Sequence, residues 1–382
     1  MLTAYTREID EVEASVSEVL EQLDLDKQLL GNSVGILSFH PDFLESGVVR
    51  ALADALPFDT VGGTSSNVSI GGAMGALMLV VTVLTSDDVV FRTGVSQTVA
   101  DDPDAAIREL YSRVAPREMG RPSLLFVYAP VLDEVSGDDL VRALDAASGG
   151  VPQFGSLATT HLPDFSGIET CANGEHHTDA LALIAFFGDV STKFYLTGIP
   201  DERVIRQRAT ITSAVKNRIQ RINNLLPTDY LESVGLAENG DISGIASFPF
   251  VLTLTDGSKV ARSVYKTTDE GHILAFGDTP EGAELDFSDS DAEFIINSTG
   301  QTAAHLAATL KTGNVLIFSC AGRRWVLGVT TEREMEEVAR RLGDSFSSQF
   351  AYSGGEICPV KNRDGRQVNR FHNFSMIACA LS

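Results

Sequence analysis

A glycine turn near the end of the chain carries its most suggestive polar residues. Gly354 and Gly355 are adjacent, and Glu356 follows them in the segment SGGEI. Paired glycines let a ligand approach the backbone, because no Cβ stands in the way. His372 and Asn373 come just before the last apolar segment, which we expect to pair beside this turn. A carboxylate and a carboxamide held together could bind an ammonium group or another polar group of a ligand.

Two residues elsewhere could complete such a site. Arg262 lies in the alternating segment KVARSVY, where a guanidinium suits a ligand carboxylate. Cys320 ends the apolar run LIFSC, and open α/β sheets bind ligands at the carboxyl ends of their strands. With Glu356 at the positive end of the ligand, the set predicts a zwitterion such as an amino acid. The structural alternatives are an exposed arginine, a small buried cysteine and a buried carboxylate satisfied by backbone amides.

Haem binding is a second functional hypothesis, and metal binding is not predicted. His40, His305 and His372 are the candidate axial ligands of a haem, although the sequence has no C-x-x-C-H motif. The histidine pair at 176–177 and Cys171 match no standard metal spacing. We therefore expect no cofactor, with haem as the alternative.

Catalysis is a third hypothesis. Ser319 or Cys320 could act as a nucleophile with His305 or His372, which would make the protein a hydrolase-like enzyme with an unfamiliar site. The sequence contains no nucleophile elbow, P-loop, dinucleotide fingerprint or zinc-protease motif. We expect a protein that is not an enzyme.

Composition narrows the class of partner. The formal net charge of −23 disfavours nucleic acid, which needs a basic surface, and also disfavours anionic membranes. The longest apolar run, residues 76–84, is too short to span a membrane. The four cysteines are widely spaced and fit no disulfide framework, which favours a cytoplasmic protein. A homo-oligomer is compatible with these numbers.

The elements that must position these residues form a repeat. Three segments, which begin SVGILSF, SLLFVYA and NVLIFSC, share the order strand, helix, glycine turn and strand. In the first two copies the segments DVVFRTGVS and STKFYLTGI are predicted to close a hairpin. The pattern predicts an α/β (α+β) fold in which helices cover mixed sheets and the first two units pack pseudo-symmetrically.

The region between the second and third copies reads differently. We predict helix from residue 204 up to Pro227, and then a run of strands joined by TDGS, DEGH and DTPEG turns. The resulting domains are an N-terminal helix over 1–28, a domain of two repeats over 29–200, and a second domain over 201–382.

The motifs NNLLPTDYLESVGL, KVARSVYK, FSCAGR, FAYSGGEICP and RFHNFSMIACAL together resemble the carboxyl-terminal domain of the FIST family, the F-box and intracellular signal transduction proteins. Residues 31–199 resemble the amino-terminal domain of that family. One difference is that the family's amino-terminal glycine turn usually ends in Gly-Glu-Ile, whereas this chain has Asn67-Val68-Ser69 there. We therefore place the polar site on the third copy.

The resemblance implies an intracellular sensory module that binds a small polar ligand, for which amino acids are candidates. Such modules act with signalling enzymes, and some members resemble haem-based nitric oxide sensors. Because the resemblance covers nearly the whole chain, the output partner would be a separate protein such as a kinase or cyclase. A purely scaffolding subunit is the remaining hypothesis, for which a large flat apolar patch would be the sign.

Overall fold

Three units with the same order of elements form most of the molecule, and a separate sheet is inserted into the third. The computed structural model describes residues 1–162, 165–239, 241–242, 245, 248–254, 257–362 and 364–382. The predicted mixed α/β class is confirmed. None of the described helices is long and apolar enough to cross a membrane.

The first two units cover residues 2–187. The elements of the first unit are β1 (Leu2–Thr6), α1 (Val12–Leu23), α2 (Leu25–Gln28), β2 (Asn32–Phe39), α3 (Asp42–Glu45), α4 (Val48–Ala55), β3 (Thr60–Thr64), β4 (Val68–Ile70), β5 (Ala73–Gly75) and β6 (Leu79–Ser86). The elements of the second unit are β7 (Val90–Thr98), α5 (Pro103–Val114), β8 (Leu124–Ala129), α6 (Gly137–Ser148), β9 (Gln153–Leu157), β10 (Thr170–Ala172), β11 (Glu175–His177) and β12 (Ala180–Phe187).

The third unit is interrupted after its first strand. The inserted elements are β14 (Val204–Val215), β15 (Arg218–Ile222), α7 (Pro227–Ser233), β16 (Phe250–Thr253), β17 (Lys259–Arg262), β18 (Val264–Thr267), β19 (Ile273–Ala275) and β20 (Glu284–Ser288). The unit itself consists of β13 (Thr192–Thr197), α8 (Ala292–Leu310), β21 (Gly313–Cys320), α9 (Ala321–Leu327), α10 (Glu332–Leu342), β22 (Phe346–Ser353), β23 (Gly355–Lys361), β24 (Gln367–His372) and β25 (Met376–Leu381). The insert forms a seven-stranded sheet of order β17-β16-β20-β14-β15-β19-β18.

The units exchange hairpins in a cycle. The three six-stranded sheets have the orders β1-β6-β2-β3-β10-β11, β7-β12-β8-β9-β23-β24 and β13-β25-β21-β22-β4-β5. Each sheet thus ends in a hairpin from another unit. The hairpin β4-β5 of the first unit ends the third sheet, β10-β11 of the second unit ends the first sheet, and β23-β24 of the third unit ends the second sheet. Equivalent pairs across these junctions are Val68 with Ala351, Cys171 with Gly62, and Ile357 with Gly155.

The three sheets share one apolar core. Their inner faces meet through alternate residues of the central strands, such as Ile36, Phe126 and Phe318. The outer faces are covered by α1 and α4 on the first sheet, α5 and α6 on the second, and α8 and α10 on the third. Because both faces are buried, the central strands read as continuous apolar runs and not as alternating ones.

The predicted hairpins after the first and second copies are wrong. β7 pairs with β12 and not with β6, and β13 pairs with β25 and not with β12. Both edges of β6 are already taken, by β1 and β2. The turn at 86–90 therefore carries the chain from one sheet to the next.

The helix predicted before Pro227 is also wrong. Residues 204–222 form the antiparallel strands β14 and β15, and the helix α7 begins at Pro227 instead. Three consecutive residues of β14, Thr210, Ile211 and Thr212, are β-branched, and β-branched residues favour strands. The first 28 residues differ as well, because strand β1 precedes α1 and pairs with β6.

Strand pairs connect the two predicted domains across residue 200. β4 and β13, from before this point, pair with β22 and β25. β9 pairs with β23 in the second sheet. The domain boundaries themselves stay a prediction.

Candidate functional site

Three equivalent turns meet at one end of the core, at the carboxyl ends of the parallel strand pairs. They follow β3, β9 and β22. The Thr159 amide donates to the Thr64 carbonyl oxygen at 2.9 Å, and the Gly354 amide donates to the Leu157 carbonyl oxygen at 2.9 Å. The Ser65 hydroxyl donates to the Tyr352 carbonyl oxygen at 2.9 Å. The glycine turn of the third copy is therefore part of a junction between all three units.

Glu356 has counterparts in the other two units. The pairing registers place Asn67 and Thr170 at the positions that correspond to it. Asn67 accepts a hydrogen bond from Arg324 Nε at 2.7 Å, and the Thr170 hydroxyl donates to the Ala180 carbonyl oxygen at 2.7 Å. Of these three positions, only the third copy carries a carboxyl group.

The carboxyl group of Glu356 is fully buried and satisfied within the protein. Ser375 Oγ donates to Oε2 at 2.6 Å, and the Ser353 hydroxyl donates to Oε1. Burial raises the pKa of Glu356 to about 8, although both hydroxyls and the charge of Arg323 act in the opposite direction. At neutral pH the group is therefore mostly protonated. The partners are chiefly hydroxyl groups and not the backbone amides considered above.

Asn373 and His372 lie beside this turn. His372 is the register partner of Glu356, and its Nε2 lies 3.1 Å from the Cys358 carbonyl oxygen, to which it donates. Burial lowers the pKa of His372 to about 4, so the ring is neutral at pH 7. Asn373 is buried, and within the described part of the chain neither its Nδ2 nor its Oδ1 has a hydrogen-bond partner. A Cβ on Gly355 would lie 2.3 Å from the Phe371 ring and 2.9 Å from Asn373 Nδ2, so glycine leaves room for both side chains.

Arg262 is committed to a partner inside the protein. Its Nη2 lies 2.8 Å from Asp138 Oδ2, and its Nε donates to the Asp278 carbonyl oxygen at 2.9 Å. Only 3% of the side chain is exposed, so the alternative of an exposed arginine is wrong. The role predicted for Arg262, binding a ligand carboxylate, would require breaking this ion pair. Its neighbour Ser263 faces a cavity instead.

A narrow cavity lies between the inserted sheet and the third unit. Cys320, Gly322 and Gly354 form one wall, and Ser263 and Phe276 belong to the other. About 20 Å³ of its interior is open to water, which is room for about one molecule. Cys320 and Gly354 thus line the cavity as predicted residues. Gly355, Glu356 and Asn373 are not among the lining residues; Gly355 and Glu356 follow Gly354 in the chain, and Asn373 lies beside Gly355.

Aromatic rings close the outer side of the cavity. Phe165 packs against Trp325 with ring centroids 5.8 Å apart and planes 32° from parallel, and it meets Phe276 edge-on at 5.4 Å. Tyr265 continues the cluster beside Phe276 at 4.5 Å. All four rings are half-buried, so each keeps some contact with solvent.

Behind the cavity, α9 is anchored by a buried ion pair. Arg323 Nη2 lies 2.8 Å from Glu334 Oε1, and the two side chains are 1% and 0% exposed. Thr299 and Tyr352 donate to the Glu334 carboxylate at 2.8 and 2.7 Å, and Ser319 does so at 3.1 Å. Because α9 also supplies Ala321, Gly322 and Trp325 to the cavity wall, a fixed α9 fixes that wall.

The residues proposed for catalysis and haem ligation are placed as follows. Ser319 donates to Glu334, and burial raises the pKa of the Cys320 thiol, which disfavours a thiolate. His40 Nε2 lies 3.0 Å from His161 Nδ1. His305 is exposed on α8 against Tyr195. Among the described residues no cluster of potential metal ligands occurs.

Sequence reasoning missed most of the cavity wall. Phe165, Phe276 and Ser263 come from three separate segments, and only the folded chain brings them together. Trp325 gave a usable signal, because it is the only tryptophan and follows the FSCAGR motif. Nothing in the sequence indicated that Arg323 and Glu334 form a buried ion pair, because a charged residue in an amphipathic helix is normally exposed.

The fold and the site define a class of protein in which repeated α/β units share one core and a small cavity lies beside a glycine turn, between the third unit and an inserted sheet. The chain belongs to the FIST family: the FIST N domain matches residues 33–225 and the FIST C domain matches residues 225–359. FIST domains are sensory domains of signal transduction, so the chain is a sensory module.

Comparison with curated proteins found no match. Among solved structures, a cyanuric acid hydrolase from A. caulinodans is 8% identical, with 99% of each chain covered and a TM-score of 0.37. A second cyanuric acid hydrolase structure is 7% identical, with 100% of this chain and 98% of that chain covered and the same TM-score of 0.37. At this TM-score the likeness supports no conclusion about activity.

Proposed function

We propose that the cavity beside Cys320 and Gly354 binds a small polar ligand and that binding changes how a separate signalling protein recognises this chain. The observation that carries the proposal is the unsatisfied hydroxyl of Ser263 in the cavity wall. The Asn373 amide, which lies beside Gly355 and outside the wall, also lacks a partner among the described residues. A buried polar group without a partner costs about 1–3 kcal/mol, which a ligand could recover.

The route to an output runs through α9. Its residues Gly322 and Trp325 border the cavity, and Arg324 bonds Asn67 of the first unit. A ligand that displaces Trp325 would therefore act on a helix connected to two units. The partner, such as a kinase or cyclase, would read this change. Amino acids are the first ligands to test, since they were expected from the sequence.

The single tryptophan makes the test direct. Emission of Trp325 should change when a compound enters the cavity, and the thermal midpoint of unfolding should rise, because a ligand that binds only the folded state stabilises it. We would screen the twenty amino acids and small neutral amides by both readouts. If no compound at millimolar concentration changes either, the proposed binding function is wrong.

The same sample tests the haem alternative. An absorption spectrum of freshly purified protein would show a Soret band if haem were bound. In that case haem would replace the small polar ligand as the sensed group, and the screen above would be secondary.

A further inference from the structure

We propose, building on the ligand-binding function above, that the cavity selects an uncharged, flat ligand that carries an amide or an equivalent adjacent donor and acceptor. Zwitterions such as free amino acids do not belong to this class of ligand. The proposal rests on the charges around the cavity, on its unpaired polar groups and on the shape of its aromatic wall.

The described residues that line the cavity include no charged side chain. Its polar lining side chains are those of Ser263, Cys320 and Trp325. A ligand ion placed against these residues would lose its water without gaining a counter-ion, which is unfavourable. An uncharged ligand avoids this cost.

The arginines adjacent in sequence to the cavity wall already have partners. Arg262 is paired with Asp138, Arg323 with Glu334, and Arg324 donates to Asn67. A ligand carboxylate would have to compete with an internal carboxylate for Arg262 and for Arg323, whereas Arg324 is directed to the neutral Asn67 of the first unit. In the case of Arg323, the competitor is a fully buried carboxylate held by three hydroxyl groups.

A ligand ammonium group would also lack a counter-charge among the described lining residues. Glu356, two residues after Gly354, does not line the cavity, and the hydroxyls of Ser353 and Ser375 bond both of its oxygens. Burial raises its pKa to about 8, so most of the population is uncharged at pH 7. Among the described residues that line the cavity, neither end of a zwitterion therefore meets an opposite charge.

The unpaired polar groups in the cavity wall and next to it offer both a donor and an acceptor. The Ser263 hydroxyl in the wall can act as either, and the Asn373 amide beside Gly355 has an Nδ2 donor and an Oδ1 acceptor without partners among the described residues. An amide group on a ligand presents the complementary pair in one plane. Charged analogues of the same shape offer only acceptors, as in a carboxylate, or only donors, as in an amidinium.

The aromatic wall favours a flat molecule. The Phe165 and Trp325 rings are 32° from parallel, and both are half-buried. With about 20 Å³ open to water, the ligand must displace side chains to enter. A planar ligand that inserts against these rings needs the least displacement and gains stacking contact.

Matched probes test the charge selection. We would titrate the full chain at pH 7 with benzamide, benzoate and benzamidine, and with the smaller series acetamide, acetate and acetamidine, following Trp325 emission and heat of binding. We expect at least one amide to bind tenfold or more tightly than both of its charged analogues.

Variants test the two polar groups. Ser263→Ala and Asn373→Ala should each weaken binding of the amide by about three- to tenfold, the range for a neutral hydrogen bond. The matched controls Ser112→Ala and Asn297→Ala, on exposed positions of α5 and α8, should leave it unchanged.

The outcomes separate the two proposals. If a carboxylate, an amidine or an amino acid changes Trp325 emission and binds at least as tightly as the amides, the ligand class proposed here is wrong while the binding site stands. If both variants bind the amide as well as the unmodified protein does, the polar groups do not select it and the inference also fails. If no compound of any class binds, both proposals fail.

Discussion

At the scale of single residues, Glu356 shows how burial sets the charge of a side chain. Two hydroxyls bond its carboxyl group, and the described part of the chain contains no direct ion-pair partner for it. Since the folded state raises the pKa from 4.5 to about 8, the folded protein holds the proton more tightly than the unfolded chain. The contribution of Glu356 to stability is therefore most favourable below pH 4.5 and is lost as the pH rises towards 8.

We expect Glu356→Gln to remove this pH dependence. Between pH 5 and pH 8 the free energy of unfolding should fall by roughly 3 kcal/mol more in the unmodified protein than in the variant, at about 1.4 kcal/mol for each pH unit. Urea unfolding at both pH values measures this. The exposed Glu281→Gln is the control and should behave like the unmodified protein. Equal pH slopes in all three proteins would show that Glu356 does not hold a proton in the fold.

The buried pair of Arg323 and Glu334 leads to a second residue-scale prediction. Glu334→Ala should lower the free energy of unfolding by about 3–5 kcal/mol, because it leaves a buried guanidinium without its partner. The exposed Arg340 contacts Glu337 at 2.6 Å, and Arg340→Ala should cost less than about 1 kcal/mol. Chemical denaturation distinguishes the two. A small effect of Glu334→Ala would mean that water or a rearranged side chain replaces the carboxylate.

At the scale of elements, the pairing of β9 with its two neighbouring strands depends on a glycine, Gly155, which has no side chain. Gly155 pairs with Val127 on β8 and with Ile357 on β23, the strand donated by the third unit. A Cβ on Gly155 would lie 1.9 Å from the Val127 carbonyl oxygen, which belongs to rigid backbone. The hairpin exchange at this junction thus requires glycine.

We expect Gly155→Ala to destabilise the protein by about 3 kcal/mol or more, because the backbone of β8 or β9 must shift. Gly198→Ala is the matched control, since nothing lies within 4 Å of the added Cβ. Thermal and urea unfolding of the two variants give the comparison. If Gly155→Ala is as stable as Gly198→Ala, strands β8 and β9 do not pack as closely at Gly155 as the structure shows.

At the scale of the whole molecule, the exchanged hairpins connect the three units. β4 and β5 complete the sheet of the third unit, and β23 and β24 complete that of the second. A fragment that ends near residue 200 would lose β22 as the partner of β4, β23 as a partner of β9 and β25 as the partner of β13. It would expose three strand edges and the apolar core between the sheets.

We therefore expect residues 1–200 and 201–382 to fail to unfold cooperatively when each is expressed alone. Co-expression of the two fragments should restore a cooperative transition and the emission spectrum of Trp325 in the intact chain. Circular dichroism during thermal unfolding measures cooperativity. Cooperative unfolding of the isolated 1–200 fragment would instead support an independent domain with the boundary predicted from the sequence.

Sequence alone determined the features that depend on local order. The apolar runs at 34–39, 124–129 and 315–320 predicted the central strands, and their spacing predicted three repeated units. The glycine turn predicted that Glu356 lies beside His372 and Asn373, as the pairing of β23 with β24 shows. These predictions hold because hydrophobic periodicity and glycine turns act over a few residues.

Only the tertiary structure decided which strands pair and which side chains line the cavity. DVVFRTGVS could form a hairpin with the strand before it, but β1 and β2 already occupy both edges of that strand. Arg262 and Ser263 are neighbours, and only the packing of the inserted sheet turns Ser263 to the cavity and Arg262 to Asp138. The physical reason is that strand pairing and burial depend on segments that are far apart in the chain. These segments compete for the same strand edge or side-chain partner, and the local sequence does not show which of them is favoured.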